Sequence, residues 1–418
     1  MPKLNFYKAT LNFLNGLDKR FKIILATIGL YNWASSLTSN YNQLYAVALG
    51  ADPIELGSLN SISGFVSSII SAPIGWLIDK YGVKKMMVTG LILSAIVSVI
   101  YCCATNWLML IPAVILAPIS FKMVIPLADL IFIGTSKPES RAQSMGLSRM
   151  IWAIPTLLAP TMSAIIITSY GGMNVQGIRP LYLIQLLSII LIMVFLIFMF
   201  EELHTKTATD KNKSNIFSVD FIESFRDLFV GEKWLKEWTI LMGLSRFGTS
   251  ISMPFIALWM VYSKGADPYI LGAVSTAGII TSALLQVPVG ILADRIGRKK
   301  VFFLVRPLTY LGTILLVFAP NPQSLILVGI LGALGFVGGF GDISFIPFIT
   351  MFWEAVPAEK RGRWFGLTGI FDILTVPAFL LGGLLWQVGF EELVLLLPLL
   401  IELLIMIPIM VRIPDQKA

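Results

Sequence analysis

Apolar positions along this chain come in long blocks, without the alternation of a half-buried strand. Twelve runs of about twenty residues or more stand out, at 22–48, 54–78, 86–104, 108–133, 143–168, 180–202, 237–263, 268–292, 300–319, 323–353, 361–387 and 391–411. Each is long enough to cross a ~30 Å hydrocarbon core as a helix, which satisfies its backbone amides within the segment. The pattern predicts an all-α membrane protein of twelve transmembrane helices. A charged amphipathic stretch, "LNGLDKRFK" (14–22), leads into the first run without an A-x-A-like cleavage site, so a signal peptide is not expected.

The polar breaks carry a second pattern. "GWLIDKYGVKK" (75–85) returns 215 positions later as "GILADRIGRKK" (290–300). Aligned without gaps, 50–85 and 265–300 share 14 of 36 residues; "GADPIELG" meets "GADPYILG", and Ser67, Pro73, Gly75, Leu77, Asp79, Gly82, Lys84 and Lys85 recur. Farther on, "ESRAQSMG" (139–146) meets "EKRGRWFG" (359–366) at an offset of 220. The chain therefore divides into two pseudo-symmetric six-helix bundles, 1–202 and 237–418. An even number of helices per half makes them parallel repeats about an axis normal to the membrane. Between them, 203–236 is polar, then partly amphipathic at "FIESFRDLF", as expected of a cytoplasmic linker with one surface helix.

Composition agrees with the pattern. Of 418 residues, 56% are hydrophobic and only 13% charged, with mean hydropathy +0.82, too little charge to cover a soluble surface. The net charge of +7 raises the question of nucleic acid, but placement answers it. Of 31 Lys and Arg, 25 lie in the N-terminal segment, the even-numbered loops and the C-terminus. Two, Arg179 and Lys264, fall in odd-numbered loops, and Lys122, Arg149, Arg246 and Arg306 lie inside spans. This is the positive-inside distribution: both termini are expected in the cytoplasm of a multi-pass cell-membrane protein whose charge serves the bilayer and not nucleic acid. Cys102 and Cys103 are adjacent within a span, and His204 is the lone histidine. A metal site, a cofactor and a Ser-His-Asp triad are not expected, and neither is an enzyme.

The two G-x-L-x-D-[RK]-x-G-x-[KR]-[KR] turns, at the same place in each half, resemble those of the major facilitator superfamily of secondary transporters. Twelve spans, a central loop and pseudo-symmetric halves extend the likeness over nearly the whole chain. The second copy is complete; in the first, Val83 stands where the family has a basic residue. Gly75 and Gly290 permit close helix approach, and Gly82 and Gly297 a tight reversal. The resemblance implies that Asp79 and Asp294, with Lys84, Arg295, Arg298, Glu354 and Arg361 around them, latch the cytoplasmic side closed in the outward-open state. The basic residues also read as anchors to lipid phosphates. The antiporter signature G-P-x-x-G-G of span five is degraded here to Ala159-Pro160-Thr161-Met162-Ser163-Ala164, and Gly382-Gly383 lies at matching depth in span eleven.

Ionisable side chains at mid-membrane depth are costly, so each needs a reason. Lys122 in span four and Asp342 in span ten are near-equivalents of the two halves with opposite charge. The resemblance places spans one, four, seven and ten around the central cavity. Lys122 and Asp342 are expected to face one another there, with Asp372 of span eleven, Arg246 of span seven and the span-one residues Asn40 and Gln43 in reach of the same solute. Asn32, Ser36, Asn40 and Gln43 form one polar stripe, which faces protein or water. Substrate or coupling-ion work and a purely structural ion pair both remain open for Lys122 and Asp342. Arg306 and Glu402 are expected to neutralise each other on the periphery, and Asp129 to pair with Arg149.

The sequence thus reads as a monomeric secondary transporter that moves a small organic solute by alternating access, coupled to protons. Apolar, Met-rich spans lean toward export of drugs or metabolites. Lys122, Arg149 and Arg246 support the alternative, proton-coupled uptake of an organic anion or sugar-like solute.

Overall fold

The structure is a computed structural model that describes residues 19–135, 141–200, 233–336, 338–356 and 369–414. Most of the expected linker and Arg361 fall outside the described residues, as do the side chains of Asp79, Asp129 and Arg149 and the surroundings of Gly75. Every regular element among the described residues is helical. Span one is Lys19–Ser39 with Asn42–Ala48; spans two to six are Pro53–Tyr81, Val83–Cys103, Ile111–Thr135, Arg141–Ser169 and Val175–Met199. In the second half, span seven begins as Lys233–Ser252, and spans eight and nine are Pro268–Ile296 and Arg298–Phe318. Span ten is split into Leu325–Leu331 and Gly339–Ala355, span eleven ends as Thr375–Gln387, and span twelve runs Glu391–Arg412. Eight helices among the described residues are long and apolar enough to cross a membrane; two shorter apolar ones belong to spans ten and eleven.

The recurring "GADP" is a helix start written twice. Gly50 and Gly265 hold φ of 96° and 71°, a left-handed backbone that suits glycine. Asp52 then accepts from the Glu55 amide at 2.7 Å, and Asp267 from the Ile270 amide at 2.7 Å. Each fills an orphan donor at the N-terminus of a 29-residue helix, with proline at the first helical position. Glu55 returns the bond to the Asp52 amide at 2.8 Å, completing a capping box in the first half only.

Two expectations need correction. Arg179, read as a loop residue, lies within span six, which starts at Val175 under an Asn174 cap. It is half-buried and donates to the Ala104 carbonyl at 2.6 Å and the Tyr45 hydroxyl at 3.3 Å. Span ten, read as one run, stops at Leu331 and resumes at Gly339, with Gly332, Gly335 and Gly338 at φ of 72°, 86° and 125°. A Cβ at Gly338 would sit 3.0 Å from Gly278 of span eight, so the backbone there uses the missing side chain to approach.

The hydrophobic cores show how the halves meet. At the end of the bundle that carries Lys19 and Pro414, here the terminal end, each half has its own. One gathers Ile24, Met87, Val124 and Leu196, and another Trp238, Phe302, Phe352 and Met410. At the far end a single cluster joins both halves, with Tyr45, Leu56 and Ile167 packed beside Phe255, Leu271 and Trp386. The seal is made of small residues. A Cβ on Gly57 would lie 2.6 Å from the Phe379 carbonyl, one on Gly383 2.6 Å from that of Pro53, and one on Gly272 2.9 Å from that of Pro160. Spans two and eleven, and spans five and eight, therefore touch backbone to backbone at the far end.

Candidate transport site

Seen from the sequence, Lys122 seeks a carboxylate on the other half, and it has one. Its partner is Asp372 of span eleven, with Nζ to Oδ2 at 3.3 Å, and not Asp342. Lys122 also donates to the Ser67 carbonyl at 2.6 Å and to the Ser71 hydroxyl, and Ser67 Oγ donates to the same Asp372 oxygen at 2.9 Å. The reason lies in the glycine seam. A side chain on Gly64 would strike Thr375 and one on Gly369 would strike Ser71, so spans two and eleven run close enough to bring Asp372 onto the serines of span two. The cluster crosses the interface between halves, and its two charges keep only 18% and 20% of their side-chain exposure. A buried pair so satisfied is tolerable, and one stripped of a partner is not.

Asp342 is placed elsewhere by the break in span ten. It sits in the first turn of Gly339–Ala355, exposed, with its carboxylate 3.5 Å from Ser282 of span eight. Ser67 and Ser282 are equivalents in the repeat, and each approaches an aspartate. Arg246 is exposed and lies near enough to Lys122 for their charges to repel. It follows by one helical turn Gly243, whose neighbours Phe371 and Leu374 flank Asp372. Among the described residues its guanidinium has no ion pair. Asn40, in the break of span one, donates to Ser275 of span eight at 2.8 Å, a further bond between halves. Gln43 is half-buried nearby on Asn42–Ala48, with no partner for its amide among the described residues. The sequence reading missed Ser67 and Ser71; the recurrence of Ser67 in the repeat was the available signal.

The paired turns resolve into three devices. Gly82 and Gly297, with φ of 80° and 100°, make the reversals. In the second half Arg298 bonds Glu354 and lies 3.5 Å from Asp294, whose side chain is 70% exposed. Arg295 is exposed and makes no ion pair among the described residues. Lys84 donates to the Ile197 carbonyl at 3.0 Å, and its equivalent Lys299 to the Ile413 carbonyl at 2.7 Å. Each lysine thus caps the end of the last helix of its own half. Gly290 was expected at a close helix approach, but a Cβ there would meet nothing within 4 Å in this conformation. Arg306 and Glu402 pair as expected, at 2.6 and 2.7 Å in a fork joined by Tyr310 and Ser344, but the pair is buried and not peripheral, because spans nine, ten and twelve close around it.

A sequence profile of the Major Facilitator Superfamily matches residues 23–240 and again 238–418. Among characterised proteins, organic cation/carnitine transporter 7 of Arabidopsis thaliana is 28% identical over 161 residues, 38% of this chain and 29% of that protein. The niacin transporter NiaP of Acinetobacter baylyi (strain ATCC 33305 / BD413 / ADP1) is 29% identical over 187 residues, 40% of this chain and 41% of its own length. The chain thus matches less than half of either relative. The solved nucleoside transporter NupG superposes with a TM-score of 0.68 at 14% identity, covering 95% of this chain and 100% of that one.

Proposed function

The chain belongs to the Major Facilitator Superfamily, and from that premise we propose that it is a secondary transporter carrying a small carboxylate-bearing solute together with a proton. The observation that carries this reading is Arg246, which has no ion pair among the described residues, beside the Lys122–Asp372 pair. Apolar spans alone lean toward export of amphiphiles; an exposed guanidinium near that pair, without an ion pair among the described residues, favours the organic-anion alternative, because Arg holds a carboxylate in a fork. Two relatives are named for niacin, a pyridine carboxylic acid, and carnitine, a zwitterion with a carboxylate. That shared group supports the same choice.

In this mechanism Asp372 and the solute compete for one cation. While Asp372 is ionised it occupies Lys122 and ties span four to span eleven. A proton on Asp372 releases Lys122, and the solute carboxylate takes Lys122 and Arg246 in its place. Proton and anion then travel as a neutral increment, and the tie between halves is remade only after both leave. Asp342, held near Ser282, is a second place for the coupling proton. The far-end seal and the separate cores at the terminal end support an inward-open form, given the cytoplasmic orientation that the loop charges favour. Asp294 with Arg298 and Glu354 is positioned to close that end on the opposite stroke.

Proteoliposomes with an imposed pH gradient test the reading. Labelled nicotinate should accumulate and the uncharged nicotinamide should not, and Arg246→Ala should lower nicotinate uptake about tenfold or more, as losing a charged hydrogen-bond partner does. Carnitine serves as a second carboxylate probe. Equal handling of nicotinate and nicotinamide, with Arg246→Ala neutral for every solute moved, overturns the carboxylate assignment.

A further inference from the structure

The two halves differ at one matching place. In the second half the space between spans eight, nine and ten is filled: Ala293, Val301, Val305 and Ile343 are buried together, with Leu292 and Phe340 against them. In the first half the corresponding space between spans two, three and four is a cavity of about 650 Å³. Met86 and Met123 stand there where Val301 and Ile343 stand in the other half. Spans two and three meet at the Gly82 turn, and Met123 of span four joins Met86 in lining the cavity. The volume falls in the roughly 300–1,000 Å³ range of pockets that hold small molecules.

Its lining is graded. Lys84 and Lys85 stand at the mouth, on the turn at the terminal end, with Tyr81 and Thr89 beside them; Leu77, Met86, Val88 and Met123 continue inward. Lys84 spends one of its three N–H donors on the Ile197 carbonyl. Among the described residues the exposed Lys85 ammonium has no bond. Cations at the depth of the headgroups above an apolar slot inside the hydrocarbon match one ligand chemistry, an anion with a long apolar tail.

We propose that this cavity is a binding site for one anionic phospholipid, with its phosphate on Lys84 and Lys85 and an acyl chain over Met86 and Met123. The site is independent of the solute reading: none of the residues that line it takes part in the bonds of Lys122. Native mass spectrometry of the full chain, stripped of lipid in detergent and titrated with phosphatidylglycerol or phosphatidylcholine, tests it. One phosphatidylglycerol should be retained in preference to phosphatidylcholine, and millimolar inorganic phosphate should not displace it. Lys85→Gln should weaken retention about fivefold, one lysine's share of the attraction to an anionic headgroup. Met123→Trp, which fills the floor without touching charge, should abolish it. Should Met123→Trp fail to fold, Val88→Trp blocks the same slot from a half-buried wall position. Equal retention of both lipids, displacement by phosphate alone, or wild-type retention in both the lysine and the cavity-filling variants overturns the proposal.

Discussion

Replacing Asp372 with Asn tests whether the Lys122 cluster sets the balance between the two forms of the transporter. Asp372 accepts from Lys122 Nζ at 3.3 Å and from Ser67 Oγ at 2.9 Å, across the interface between halves. Asn keeps the shape and can still accept from Ser67, so the loss is the charge on the lysine bond. A hydrogen bond to a charged group nets ~1.5–3 kcal/mol against ~1 for a neutral one. The 3.3 Å distance and the fifth of exposure that remains bring the difference to about 1–1.5 kcal/mol. Because the tie exists only while the far end is closed, that energy moves the equilibrium about five- to tenfold toward the form open at the far end. Spin labels at Met173 and Val388, on far-end loops of opposite halves, read it by pulsed electron–electron distance measurement after Cys102 and Cys103 are replaced with Ser. The long-distance population should grow in Asp372→Asn and again in Lys122→Met. Distance distributions that match the parent in both variants refute the argument that this cluster holds the halves together.

Four other outcomes follow, three from the same geometry and one from the loop charges. Glu402→Gln leaves Arg306 buried beside a neutral partner, with side chains only 10% and 4% exposed, and should cost about 3 kcal/mol; Arg306→Met with Glu402→Leu should melt close to the parent in detergent, and equal melting of single and double variants contradicts the pair's burial. Gly383→Val places a branched side chain where Pro53 and Ile54 already lie, so the Met173–Val388 labels should separate; an unchanged distance contradicts the glycine seam. Asp294→Asn should favour the form open at the terminal end and slow transport without lowering the melting temperature, read by distances across that end. A cysteine at 210 should resist impermeant reagents in intact cells, and labelling there contradicts the orientation that 25 loop cations favour.

The span pattern, the repeat and the charge asymmetry were legible because each is local. A run of about twenty apolar residues finds the bilayer wherever the rest of the chain lies, and a loop cation is held back by the membrane before any helix packs. Helix starts were legible too, since Gly-Ala-Asp-Pro carries its own backbone geometry and cap. The glycines at 332, 335, 338, 339 and 341 were also in view, yet apolar patterning alone reads through them, because hydropathy has no term for a backbone that bends to meet a neighbour. Tertiary structure alone decided which charge faces which. Lys122 and Asp372 lie 250 positions apart, and they meet because Gly64 and Gly369 let spans two and eleven approach to backbone distance. Asp342, equal to Asp372 in charge and in apparent depth, went to Ser282 because the chain beside it unwound. Opposite charges buried in a membrane must find partners, but which partner each finds depends on where small residues let helices close, and that is a property of pairs of helices that no single stretch of sequence contains.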